Sequence, residues 1–340
     1  MKLFFSLSLM FFLLTGSQVA GSQELADRAD LRFEGVRSIQ VKGVFCDVSV
    51  KPGNSAEVHL EGEIRVTRGV ENYSIETTQN GDLLKVWVEY PKIMRGMAKG
   101  FLSFEVSDDV LLTVDNVSGN VNVEKIGSDD MKVSGVSGNI SVSGAGKNCV
   151  LRSVSGDIAA LVMGGNLETH SVSGNIRVAN VKGDFSGNST SGNVSAKMVE
   201  GLTSVRSTSG DLTGENLMEG ASVKTTSGNI QVSILKGELN CETVSGDVNL
   251  SDITGVLNAS SVSGGLRGTG VMFTGDSRFR SVSGDVNIDV LNEIETLSFR
   301  LKSGSGRLKA GNSIADERLE ISGGDITVTA SSTSGNQIFE

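Results

Sequence analysis

The sequence predicts an all-β fold, a parallel β-solenoid (β-helix) of about 18-residue coils. Three observations predict it. A phrase of Ser, Gly, Asp or Asn and an aliphatic residue returns at a near-constant interval. Each copy is followed by period-two alternation of apolar residues. Gly is abundant, 43 of 340 residues against roughly 7% in average proteins, while Pro occurs only twice.

The Ser of the phrase stands at 118, 137, 155, 173, 191, 209, 227, 245, 263, 283 and 305. One interval of 19 is followed by seven of 18, then 20 and 22. Three residues after each Ser stands an aliphatic, such as Ile158, Ile176, Val194 and Ile230. Two further on come small or aliphatic residues such as Ala160, Val178, Ala196 and Val232. That spacing marks a short strand with one buried face. Another aliphatic follows eight residues after the Ser (Met163, Val181, Val199, Leu217), then a Gly (Gly165, Gly183, Gly201), then a second alternating pair such as Leu167 and Thr169. One unit is too small to bury its own apolar face. Stacking copies in parallel merges the faces into one core, so the pattern implies coils of two short strands, flattened and wound right-handed.

The remainder divides around this body. Residues 1–21 hold Lys2, an apolar run from Leu3 to Leu14 and small residues near Ala20, the layout of a signal peptide. Residues 22–112 read as an irregular β region that caps or begins the solenoid, and 113–340 as the repeat solenoid. The expectation is export by the signal peptide to the cell surface, the periplasm or the medium.

The Gly of the phrase suits a corner that needs positive φ or close stacking of backbones. The residue after it, Asn120, Asn139, Asp157, Asn175, Asn193, Asp211, Asn229, Asp247 or Asp285, is a turn former. Stacked copies form a polar ladder along one edge. Calcium would want a carboxylate in every coil, so the mixture of Asp and Asn makes the ladder structural.

With these repeats laid out, the chain resembles a bacterial putative-adhesin family, a domain of unknown function built from SVSGDV-type repeats. "SIQVKGVFCDVSVKPG" looks like its opening strands and "LLTVDNVSGNVNV" like the start of its repeat body. The resemblance implies an exported, non-enzymatic protein of the envelope or surface, and it brings no catalytic residues.

The residues themselves point the same way. Two His, His59 and His170, leave almost no material for zinc or His-based catalysis. The acidic clusters at 107–109 and 128–130 sit near turns, and the ladder Asp residues single out no catalytic pair. Three Cys (Cys46, Cys149, Cys241) imply free thiols rather than a disulfide framework. The reading therefore includes no enzyme, no metal and no cofactor. A net charge of −10 argues against nucleic acid as partner.

One surface feature stands apart. The outward position three residues before the repeat Ser carries Arg280 and Lys302 in the last two marked coils, with Arg278 and Arg300 two residues earlier. On neighbouring coils these form a basic patch able to hold a polyanion. The functional expectation is an adhesin-like interaction with a surface glycan or envelope protein. A periplasmic scaffold with possible self-association is the alternative. Weaker ones are ice binding, through [ST]-x-S hydroxyl rows such as Ser153/Ser155, Ser207/Ser209 and Thr225/Ser227, and a polysaccharide-active β-helix.

Overall fold

The computed structural model describes residues 23–340, and the expected signal peptide lies outside them. Two sheets face each other across one continuous core, sheet A of 17 strands and sheet B of 16. The chain opens with β1 (Glu24–Phe33), β2 (Ser38–Val44), β3 (Cys46–Pro52), β4 (Val58–Val66), β5 (Ser74–Asn80), β6 (Leu83–Glu89) and β7 (Ala98–Val106). From β8 (Leu111–Asn116) and β9 (Val121–Glu124) to β26 (Ser277–Ser281) and β27 (Val286–Val290), ten coils follow in order. Each is a sheet B strand followed by a sheet A strand. Then come β28 (Leu297–Ser305), β29 (Leu308–Ala310), β30 (Ser313–Ala315), β31 (Arg318–Ile321), β32 (Ile326–Ser334) and β33 (Gln337–Phe339).

Every copy pairs in parallel and in register with the next, as in Ile158↔Ile176↔Val194↔Leu212 on sheet A. The aliphatic columns read from the sequence are interior, with Met163, Val181, Val199 and Leu217 at most 1% exposed. Size is balanced locally within the core. A Cβ at Gly187 would come within 2.7 Å of the Phe185 ring, so the aromatic fills the space its neighbour leaves.

The SG corners of the regular coils are crowded rather than left-handed; φ is positive at this corner only in the last two coils, at Gly306 (143°) and Gly335 (133°). A Cβ at Gly156, Gly174 or Gly192 would lie 2.0 Å from the carbonyl oxygen of the equivalent Gly one coil earlier. In the regular coils positive φ falls at the opposite corner. That column holds Lys125 and Gly144, then Val162, Asn180, Met198, Asn216, Ile234 and Asp252 with φ of 55–59°, then Gly270. Outside glycine, that conformation costs on the order of 1–3 kcal/mol per residue, and the stacked neighbours hold it.

The Asp/Asn ladder runs between coils rather than within each turn. A side-chain oxygen of Asn139 accepts the Asp157 backbone N–H (2.9 Å), Asp157 accepts that of Asn175 (2.8 Å), and Asn175 that of Asn193 (3.1 Å). The same bond continues through Asn193, Asp211, Asn229 and Asp247. It begins with Asp47, which accepts from Asn120, and resumes where Asp285 accepts from Asn336. The break is Gly265, which has no side chain to offer Asp285. A Cβ there meets nothing closer than 3.5 Å. Gly265→Asn is therefore expected to close the ladder and stabilise the fold by about 1 kcal/mol. A rise in the urea midpoint at unchanged slope is the check.

Spatial order departs from chain order at both ends. The first coil, β2 and β3, is sandwiched between β8/β9 and the outer coil β6/β7. The last coil, β32 and β33, is sandwiched between β26/β27 and the outer coil β28/β29. Beyond the outer coils run antiparallel strands, β5, β4 and β1 at one end, β31 and β30 at the other. Removing the two antiparallel strands from sheet B leaves fourteen parallel layers, about 60 Å at roughly 4.8 Å per layer. The interval of 22 is where the chain steps over the inserted layer of β32 and β33. Ser334 carries a further copy of the phrase and bridges Ser283 in space. The interval of 20 comes from a longer turn, residues 274–276, between β25 (Leu266–Phe273) and β26. Hairpins of this kind interrupt parallel growth at an exposed sheet edge.

All three cysteines are free and interior. Burial pushes each thiol up to about 12, with the Asp47 charge adding to the effect at Cys46. A thiol reagent at pH 8 is expected to find none in the folded protein and three in denaturant.

Candidate functional site: a basic trough on sheet B

Side chains alternate along each strand of sheet B, so Phe279 points into the core while Arg278 and Arg280 stand exposed outside. On β28 the same alternation buries Phe299 and Leu301 and exposes Arg300 and Lys302. All four expected patch residues therefore share one face. They do not lie on neighbouring coils, because β32 is inserted between the two strands. Arg278 pairs with Thr329 and Arg280 with Ser331, and on the other side Thr329 pairs with Arg300 and Ser331 with Lys302.

The result is a trough rather than a compact patch. Two rows of long cationic side chains flank a floor of half-buried Thr329 and Ser331. The rows stand two layers apart, about 10 Å at the usual inter-strand spacing. Arg318 extends the far wall beside Lys302 and is paired with Glu320. The floor could not be read from the repeat spacing, since Ser331 lies 51 residues from the arginine it pairs with.

The nearby acids make their contacts elsewhere: Glu320, the register partner of Arg300 on β31, bonds Arg318. Asp276 accepts the Thr327 backbone N–H at 2.8 Å, and Asp285 accepts that of Asn336 at 2.7 Å. Among the described residues Arg278, Arg280, Arg300 and Lys302 form no ion pair. Among the cations at equivalent positions along the rod, Arg152 pairs with Glu168 at 3.2 Å and Lys224 with Glu242 at 2.8 Å, while Arg206 stands alone without an ion pair among the described residues.

Other candidates resolve into structure. Asp129 pairs with Lys147 at 2.7 Å, and Asp109 accepts from Ser107 at 2.6 Å within its turn. The paired hydroxyl rows expected for ice binding are not both at the surface. Ser153, Ser207 and Thr225 are interior, and column members such as Thr225, Thr243 and Ser261 donate to corner glycine carbonyls.

A cluster the sequence reading missed is Asp30, His59 and Glu61, whose possible ligand atoms lie within 4.8 Å of one another. It forms because β1 and β4 pair across 29 residues. The imidazole is hydrogen-bonded to Asp30 at 2.9 Å, and that bond holds the Asp30 carboxyl below its usual range. The contact fastens the edge strand β1 to β4.

No curated protein matches the chain. Two solved structures are similar across most of its length. One is a "putative cell adhesion protein" from Clostridium sporogenes ATCC 15579, 9% identical, covering 92% of this chain and 98% of its own, with a TM-score of 0.19. The other is a "putative adhesin" from Parabacteroides distasonis ATCC 8503, 11% identical, covering 91% and 98%, with a TM-score of 0.34. The family profile Toastrack DUF4097 matches residues 36–241 and 183–338, which take in the first coil, the whole ladder and the trough. The chain belongs to the Toastrack DUF4097 family.

Proposed function

We propose that this protein is an exported, adhesin-like and non-catalytic rod that binds an acidic surface polysaccharide in the sheet B trough. One observation carries the reading: four cations without ionic partners among the described residues face each other across a hydroxyl-lined floor, on a chain of net charge −10. Carboxylate or sulfate groups of a polymer meet the two guanidiniums of Arg278 and Arg280 on one wall and the Arg300 guanidinium with the Lys302 ammonium on the other, and sugar hydroxyls meet Thr329 and Ser331 below. The local charge favours a polyanion, while the overall charge disfavours one as dense as nucleic acid. The ladder carboxylates are engaged with backbone N–H groups rather than poised in a cleft, which supports a binding role over catalysis. No helix among the described residues is long and apolar enough to cross a membrane.

The test is binding of polygalacturonate at low and high salt. Arg280→Glu with Lys302→Glu is expected to weaken it at least about tenfold. Charge reversal at Arg152 and Lys224 is expected to leave it nearly unchanged. Absence of binding at low salt, or equal loss in both double variants, would overturn the proposal.

A further inference from the structure

A second surface lies at the other end of the rod. In a regular coil the chain passes from sheet B to sheet A in four residues, such as 172–175. In the outer coil it takes eight, residues 90–97 between β6 and β7. This lengthened corner presents large apolar side chains to solvent. Ile93 is 74% exposed, Met97 58%, Met94 43% and Tyr90 42%.

The apolar side chains are interleaved with Lys92 and Arg95, and Lys99 follows, with no acidic residue from Tyr90 to Gly100. None of these three cations forms an ion pair among the described residues. The base of the loop is pinned. The Met97 N–H donates to the Thr67 hydroxyl at 2.9 Å, and the Thr67 N–H donates to the Met97 carbonyl at 3.0 Å. Gly96 packs so closely on Thr67 that a Cβ would lie 2.1 Å from its hydroxyl oxygen.

An anchored loop with apolar side chains, flanking cations and a tyrosine has the composition of an element that enters a bilayer interface. Ile93, Met94 and Met97 can bury in the acyl boundary. The flexible stems of Lys92, Arg95 and Lys99 can reach anionic headgroups. The acids that give the chain its negative charge are absent from this stretch, so the local charge complements a negatively charged lipid surface. We infer that residues 90–97 are a docking loop for anionic lipid membranes, independent of the sheet B trough. The trough and the loop lie at opposite ends of the stack.

The test uses residues 22–340, which contain every strand among the described residues. Vesicles of phosphatidylglycerol and phosphatidylcholine are compared with phosphatidylcholine alone. Wild-type protein is expected to co-float with the anionic vesicles and to be released by salt. Ile93→Glu with Met97→Glu is expected to lower partitioning at least about tenfold, because two apolar side chains no longer bury. Both sites are exposed, and an unchanged melting temperature confirms folding. Arg280→Glu with Lys302→Glu is expected to retain binding. An Ile93→Cys variant carrying an environment-sensitive fluorophore should shift to the blue on anionic vesicles only, the native thiols being buried. Failure of wild type to bind overturns the inference, as does binding that survives the loop substitutions. Conversion of a lipid-free dimer to monomer by the same substitutions also overturns it, since the loop is then a protein contact.

Discussion

Gly192→Ala is expected to unfold the middle of the rod. The new methyl would lie 2.0 Å from the Gly174 carbonyl oxygen, where no flexible side chain can yield. Local relief is blocked on both sides. The Gly192 N–H is held by the Ser189 hydroxyl at 2.9 Å, and the next N–H, of Asn193, by Asn175 at 3.1 Å. The coils would have to part, breaking the ladder and the parallel bonds beside it. A loss of 4 kcal/mol or more is expected, at the severe end of single substitutions. It should appear as aggregation on expression or a drop of many degrees in melting temperature. Gly265→Ala is the matched control: the same substitution at a position with free space, expected to be nearly neutral. If Gly192→Ala melts within two or three degrees of wild type, the corners are not in contact as described.

Phe339→Ala is expected to release the inserted C-terminal coil. Phe339 is fully buried, with its ring 5.6 Å from Phe279 and 5.6 Å from Phe299, so it joins the two strands that β32 separates. Truncating a buried Phe costs about 3–5 kcal/mol, and β33 has only three residues to resist it. The loss should be local. Hydrogen exchange is expected to rise across residues 291–340 while the regular coils keep their protection. The trough should go with it, because its floor is β32. Uniform exchange along the whole chain would show that the rod unfolds as one unit.

The regular coils were legible because their signals repeat: the 18-residue interval recurs seven times, the inward aliphatic follows all eleven Ser, and the Asp/Asn column has nine members. What escaped was anything that depends on non-sequential neighbours. Residues 38–52 and 326–339 are coils of the same stack, yet each is inserted out of chain order, so no spacing along the sequence reveals its partners. The patch residues were found by their alternation, while the floor between their rows was not. The αL column escaped for another reason. Gly144, Asn180, Asn216 and Gly270 carry the local signal, but Val162, Met198 and Ile234 alternate with them in a conformation imposed by the stack, and that interrupts the pattern. At the SG corner the glycine was visible, and in the regular coils the structure selects close approach of backbones over positive φ as its cause, positive φ being added only at Gly306 and Gly335.

The central claim is that the trough binds by shape as well as charge, and filling it without altering charge tests this most directly. Ser331→Tyr places a ring on the floor between Arg280 and Lys302, on an outward strand position that tolerates aromatics. The measurement is the polygalacturonate affinity of this variant at low salt, with its melting temperature alongside. The account predicts unchanged stability and a loss of affinity comparable with that of the charge-reversed protein. Wild-type affinity in Ser331→Tyr would contradict it and reduce the site to diffuse attraction between a polyanion and a basic surface.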